Sequence, residues 1–113
     1  MREVLASLNL GQLEDRCGGF EAQADFSQIL SVGEQQRLAV SRVLLTKPLP
    51  KLIVLDEATS AMDPSNEDRA YSLLKALGVS LLSVGHRRTL VQYHTYVLDL
   101  DNGNSVISAQ LYK

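Results

Sequence analysis

The sequence predicts an α/β fold, in which helices pack against a parallel β-sheet. Two continuous apolar runs, residues 52–55 and 79–84, have the composition of buried strands. A helix-patterned segment, residues 63–77, lies between them. A strand–helix–strand order is typical of a parallel crossover unit. With 113 residues, 45% of them hydrophobic and 21% charged, the chain has the size and composition of one globular domain.

The helical elements begin near the N-terminus. Apolar residues recur at helical spacing over residues 4–10, and residues 13–16 predict a short helical turn. Residues 32–45 predict a helix of about four turns, which Pro48 ends. Its apolar side is expected to consist of Leu38, Val40, Val43, Leu44 and Leu45.

The strands and their connections complete the predicted fold. Because residues 52–55 show no polar alternation, both faces of this strand are expected to be buried. Asp63-Pro64 opens the next helix, since proline at the first helical position loses no hydrogen bond, and Gly78 closes it. Two further strands flank residues 101–104, Asp-Asn-Gly-Asn, which predict the turn of a C-terminal β-hairpin.

Composition and charge exclude several classes of protein. The chain has 11 Lys+Arg against 13 Asp+Glu, so it is neither a basic nucleic-acid-binding arm nor a disordered acidic tail. No apolar run approaches the roughly 20 residues that span a bilayer, and the N-terminus lacks the apolar core of a signal peptide. Cys17 is the single cysteine, which indicates a reducing compartment such as cytosol, stroma or matrix.

The start of the helix at residue 32 combines two signals. Ser31 and Glu34 have the spacing of a capping box, in which each side chain bonds the other's backbone amide. Gly33 weakens a first helical turn, but it would let an anion approach the free amides at the positive end of the helix dipole. These residues alone leave both a simple cap and an anion site open.

Two acids, Asp56 and Glu57, follow the first apolar strand. Ligands bind at the carboxyl ends of parallel strands, where Asp56 would hold Mg²⁺ through water. Glu57 is expected to point the other way along an extended chain, and to orient and deprotonate a water that attacks a γ-phosphate. A solvated acidic strand end is the alternative.

Taken together, these segments resemble the second half of the ATP-binding-cassette (ABC) ATPase domain. Residues 30–37, Leu-Ser-Val-Gly-Glu-Gln-Gln-Arg, look like its signature motif, and residues 52–57 look like its Walker B strand. Ser60-Ala61-Met62-Asp63 looks like its D-loop, and His86 stands where the family has a switch histidine. The flanking residues look most like subfamily D, the peroxisomal and fatty acyl branch, and its bacterial relatives.

The resemblance implies an incomplete P-loop NTPase fold that uses ATP and Mg²⁺. Residues 1–47 would form part of the helical subdomain, and residues 48–113 would form the strand–helix core with the hairpin. Catalysis would rest on Glu57 and His86, and Asp56 would hold Mg²⁺. The implied signature contacts to the partner's ATP come from Ser31, Val32, Gly33 and Glu34, and the D-loop residues are Ser60 and Asp63. His94 is expected to be structural, and Arg87 and Arg88 are expected to pair or cap rather than catalyse.

The implied partners are a second ABC ATPase domain, in a dimer, and a transporter's transmembrane domain that this chain lacks; no nucleic acid is expected. Membrane association would come through that transporter, with the chain facing cytosol, stroma or matrix at, for example, a peroxisomal or plastid membrane.

One family motif is absent from the sequence. A Walker A loop needs Gly-x-x-x-x-Gly-Lys-Ser/Thr, and no lysine of the chain follows a glycine. We therefore expect the chain alone to be inactive. Without the strands that precede this half in the family, strand 52–55 or strand 79–84 would have unpaired edge amides and exposed apolar faces, so we also expect marginal stability and association. Two alternatives to a transporter ATPase stay open: a non-catalytic module that offers its signature helix to another cassette, and part of a soluble ABC ATPase of the DNA-repair or translation type.

Overall fold

The computed structural model describes residues 1–16, 18, 29–99 and 106–110. Its helices are α1 (Arg2–Ser7), α2 (Leu13–Arg16), α3 (Val32–Leu44) and α4 (Pro64–Ala76), with a 3₁₀ helix, η1, at Arg88–Tyr93. Its strands are β1 (Leu52–Asp56), β2 (Ser80–Gly85), β3 (Tyr96–Asp99) and β4 (Val106–Gln110). The predicted α/β class and each predicted helix and strand are confirmed. Cys17 and the hairpin turn, residues 101–104, lie outside the described residues.

The four strands form one sheet in the order β1-β2-β4-β3. β1 and β2 are parallel, with Asp56 paired to Val84, and α4 provides the crossover between them. β4 is antiparallel to both β2 and β3, so the predicted hairpin adds to the sheet through its second strand. The carboxyl ends of β1 and β2 therefore lie side by side, followed in sequence by Glu57 and His86.

The helix termini form as the sequence predicts. Asp63 caps α4, its side chain accepting a hydrogen bond from the Asn66 amide at 2.8 Å, and Pro64 occupies the first helical position. Gly78 follows the end of α4 with a φ of +70°, a conformation that costs glycine little. These caps fix both ends of the crossover helix.

A single hydrophobic core joins the helices to the sheet. Its most deeply buried side chains include Leu8 of the N-terminal region, Tyr71 and Leu74 of α4, and Leu81 of β2. Each fully buried leucine contributes about 2 kcal/mol relative to an exposed one. The segments on either side of residue 47 thus share one core.

Two predictions about burial are wrong. In β1 only Ile53 and Leu55 are buried, whereas Leu52 and Val54 are 51% and 58% exposed. The described residues cover one face of this strand, and β1 forms the edge of the described sheet. Leu45 is also exposed, and it lies just past the end of α3 as its C-cap.

Candidate functional site

The candidate site lies at the carboxyl ends of β1 and β2. β1 ends at Asp56, and Glu57 adopts a left-handed backbone conformation with a φ of +52°. The expectation that Glu57 continues an extended chain is therefore wrong. Its amide still donates a hydrogen bond to the carbonyl oxygen of Val84 at 2.8 Å, which anchors the turn to β2. Both acidic side chains remain exposed to solvent rather than facing the core.

His86 meets Glu57 at this edge. The Nδ1 atom of His86 lies 3.2 Å from Oε1 of Glu57, although the two residues are 29 positions apart. Their side chains are 63% and 44% exposed, so the pair is open to a ligand. The parallel pairing of β1 with β2 brings together Glu57 and His86, the two residues predicted to be catalytic.

The start of α3 forms the predicted capping box. The hydroxyl of Ser31 accepts from the amide of Glu34 at 3.2 Å, and Glu34 Oε1 accepts from the amide of Ser31 at 3.1 Å. Arg16 also donates to Glu34. The Arg16 guanidinium and then the Ser31 amide hold the pKa of Glu34 below its ordinary value. The carboxylate of Glu34 therefore caps the start of α3. The side chain of Val32, at the same helix start, is 61% exposed.

Gly33 approaches another backbone segment. A Cβ added to Gly33 would lie 2.8 Å from the carbonyl oxygen of Ala61, closer than real Cβ contacts allow. Packing therefore explains the glycine independently of any anion. The same residue also lines a groove of about 490 Å³ that Ser31, Val32 and Asp63 share, so the helix start is open to a ligand as well.

The residues of the predicted D-loop adjoin this helix. Ser60 Oγ accepts from Nε2 of Gln36 at 3.0 Å, and the Ala61 amide donates to Oε1 of Gln36 at 2.9 Å. Asp63 is engaged as the N-cap of α4. The predicted signature and D-loop segments therefore lie together, and Gln36, which the sequence did not single out, joins them.

Known proteins match nearly the whole chain. ABC transporter D family member 2, chloroplastic, of Arabidopsis thaliana is 41% identical over 104 residues, or 92% of the chain. An uncharacterized ABC transporter ATP-binding protein of Synechocystis is 44% identical over 98 residues, or 87% of the chain. Human ATP-binding cassette sub-family D member 3 is 37% identical over 101 residues, or 89% of the chain.

The chain is homologous to part of the subfamily D ABC transporters. It spans only 14 to 15% of the length of these three relatives. Homology to ABC transporters implies the P-loop NTPase fold, which agrees with the parallel β1–α4–β2 unit. No family model matches the chain.

The buried carboxylate of Glu67 connects several elements next to the candidate site of this ABC homologue. Glu67 of α4 is 1% exposed, and its oxygens accept from Thr59 at 2.9 Å, Arg87 at 2.9 Å and Thr89 at 2.7 Å. The sequence did contain a signal for it. Glu67 shares helical spacing with the buried residues Ala70, Tyr71 and Leu74, so an acid stands on the apolar face of α4.

His94 belongs to a separate hydrogen-bonded group in the core. Its Nδ1 lies 2.7 Å from the Leu90 carbonyl oxygen, which can only accept, so Nδ1 donates. In the neutral ring Nε2 then accepts from Ser83 at 2.7 Å, and Ser83 in turn accepts from Tyr71 at 2.7 Å. Burial raises the pKa of Tyr71 to about 12, which keeps its hydroxyl protonated as the donor.

Metal binding rests on few protein groups. The described residues contain no cluster of three or more His, Cys, Asp or Glu side chains that could enclose an ion. Asp56, exposed at the carboxyl end of β1, is a hard oxygen ligand that suits Mg²⁺ held mainly by water and phosphate. The donor set therefore fits the magnesium of an ABC ATPase.

Within the described part of the chain, no helix has the length and apolarity needed to cross a membrane.

Proposed function

We propose that this chain supplies part of the ATPase domain of a subfamily D ABC transporter, which couples ATP hydrolysis to transport across a membrane. The observation that carries the proposal is the contact of 3.2 Å between His86 Nδ1 and Glu57 Oε1 beside Asp56. A carboxylate that faces solvent and touches an imidazole is suited to orient a water and accept its proton. The named relatives are ABC transporters and ATP-binding proteins.

Each site residue has a role in this proposal. Glu57 accepts the proton of the attacking water, and His86 orients the Glu57 carboxylate and the terminal phosphate. Asp56 holds Mg²⁺, which neutralises developing charge on the phosphate oxygens when bound. Asp63 and Ser60, as D-loop residues, shape the surface that faces the second domain.

The open start of α3 acts on the other ATP of a dimer. Ser31, Val32 and Gly33 line the groove beside the helix start, next to Glu34, and the helix dipole favours negative charge there. We propose that they contact the terminal phosphate of ATP held by a second ATPase domain. The partners are then that domain and a transmembrane domain, through which the chain is associated with a membrane.

The chain by itself is proposed to hydrolyse no ATP, because its sequence contains no Gly-x-x-x-x-Gly-Lys-Ser/Thr loop to hold the phosphates. Residues 1–47 are assigned to the helical subdomain and residues 48–113 to the catalytic core of the longer domain.

A chimaera tests the proposed function. This chain replaces the matching segment of the Synechocystis relative, which is 44% identical over 98 residues. We expect the chimaera to hydrolyse ATP, and Glu57→Gln to lower turnover by about 100-fold or more while nucleotide binding persists. Glu3→Gln, at an exposed position of α1, is the control that should keep full turnover.

An inactive chimaera, or one whose turnover ignores Glu57→Gln, would contradict the proposed function. Loss of the folded state in Glu57→Gln, followed by circular dichroism, would instead indicate a structural role for this carboxylate.

A further inference from the structure

The side-chain amide of Gln36 contacts the loop that follows β1 at three points. Its Nε2 donates to the carbonyl oxygen of Glu57 at 3.2 Å and to Ser60 Oγ at 3.0 Å. Its Oε1 accepts from the amide of Ala61 at 2.9 Å. One side chain of α3 therefore uses both ends of its amide to fix residues 57–61.

The loop needs such support at Glu57. A residue with a side chain rarely adopts a φ of +52°, and such a conformation persists only where its surroundings impose it. The amide of Glu57 is held by Val84 at 2.8 Å, on the β2 side. Its carbonyl oxygen is held by Ser60 at 3.3 Å and by Gln36 at 3.2 Å. Gln36 thus provides a contact to the backbone of Glu57 from α3, outside the sheet and the loop.

The conformation of Glu57 decides where its carboxylate lies. The left-handed turn accompanies a distance of 3.2 Å between Oε1 of Glu57 and Nδ1 of His86. A change in the backbone at Glu57 would move the carboxylate away from His86.

We propose that Gln36 is a positioning residue that holds Glu57 in its active conformation and so links the start of α3 to the catalytic carboxylate. This inference rests on the proposed function, because it assigns Gln36 a role in ATP hydrolysis. Misplacement of a reacting group by about 1 Å can cost on the order of 100-fold in rate. Loss of the Gln36 contacts is therefore expected to lower kcat by about 10- to 100-fold.

The chimaera with the Synechocystis relative provides the test. Gln36→Met keeps the length of the side chain and removes its hydrogen bonds, and Gln36→Ala removes both. Gln92→Ala is the matched control, since the exposed Gln92 amide donates a local hydrogen bond to the carbonyl oxygen of Thr89 at 3.0 Å. Single-turnover rates, kcat and the KM for ATP are measured for each variant, alone and combined with Glu57→Gln.

We expect Gln36→Met to lower kcat as much as Gln36→Ala does, with little change in the KM for ATP and no effect of Gln92→Ala. If Gln36 acts through Glu57, Gln36→Met causes no further loss in the Glu57→Gln background. Three results would overturn the inference: full kcat in Gln36→Met, an effect of Gln36→Met confined to an increase in KM, or an equal loss of kcat in both backgrounds.

A second measurement uses the chain itself. Amide hydrogen exchange at Ala61 should accelerate in Gln36→Met and stay unchanged in Gln92→Ala, because Gln36 is the acceptor for the Ala61 amide. Unchanged exchange at Ala61 would contradict the inference even if Gln36→Met disrupts the chimaera. If the unsubstituted chimaera has no activity, the proposed function and the inference are both contradicted. If Glu57→Gln lowers turnover and Gln36→Met does not, the inference alone is contradicted.

Discussion

The guanidinium of Arg87 donates to the buried carboxylate of Glu67, with 2.9 Å between Nη1 and Oε2. The same nitrogen contacts the carbonyl oxygens of Thr59 at 2.9 Å and Met62 at 3.1 Å. Arg87 follows His86 in the chain, so this pair joins the proposed switch histidine to the loop after β1. The expected pairing of Arg87 agrees with these contacts.

Removal of the buried carboxylate should destabilise the protein strongly. Glu67→Ala removes the carboxylate that accepts from Arg87, Thr59 and Thr89, and breaking a buried ion pair costs about 3 kcal/mol. Urea unfolding measures this loss. Glu14→Ala, which breaks the exposed pair with Arg2, is the control and should change the unfolding midpoint far less. Equal effects of the two variants would contradict a stabilising role for the Glu67 group.

Alanine at position 33 should destabilise the chain, although alanine usually stabilises a helix by about 1 kcal/mol over glycine. The added Cβ would lie 2.8 Å from the carbonyl oxygen of Ala61, so the helix start or the loop must move. Gly11→Ala is the control, since its Cβ would lie 3.9 Å from the nearest atoms of Ala6. Thermal unfolding compares the two variants. A more stable Gly33→Ala protein would show that the close approach to Ala61 is absent.

The free energy of unfolding should decrease as the pH is lowered below about 6.5, because of the His94 ring. Burial, helped by nearby Lys75, lowers the pKa of His94, whereas its hydrogen bond to Leu90 has the opposite effect. The folded state thus favours the neutral ring. Its contribution is complete above the unfolded-state pKa of about 6.5 and is lost as pH falls through the lower folded-state pKa. Unfolding midpoints at neutral pH and near pH 5 should differ less in His94→Gln than in the unsubstituted chain, and an identical difference would exclude His94 as the cause.

The isolated chain should associate through β1. Leu52 and Val54 are 51% and 58% exposed, and β1 forms the edge of the described sheet. Exposed apolar edge strands pair with other chains, and a charged residue on such a strand opposes pairing. Sedimentation velocity should show association that increases with concentration and decreases in Val54→Lys. Glu3→Gln, on α1, changes the net charge by the same amount and is the control, and an equal decrease in both variants would contradict association through β1.

Much of the local structure could be predicted from the sequence. The capping box at Ser31 and Glu34, the proline that begins α4 and the glycine that follows it depend on residues within a few positions of each other. Apolar runs and helical spacing likewise record which segments form strands and helices. The order of β1, α4 and β2 then brings Glu57 and His86 to one edge, in agreement with the common site that the family resemblance implied for them.

Other features were decided only by tertiary packing. Gln36 contacts residues 21 to 25 positions away, and the carboxylate of Glu67 accepts from Thr59 in the loop after β1 and from Thr89 in η1. The left-handed turn at Glu57 and the approach of Gly33 to Ala61 depend on how α3 lies against the loop after β1. Periodicity and capping describe only neighbours along the chain, whereas these contacts arise when separate elements pack. The sequence by itself therefore determined the helices and strands and indicated the residues that we propose to be catalytic. The tertiary structure decided which side chains hold those residues in place.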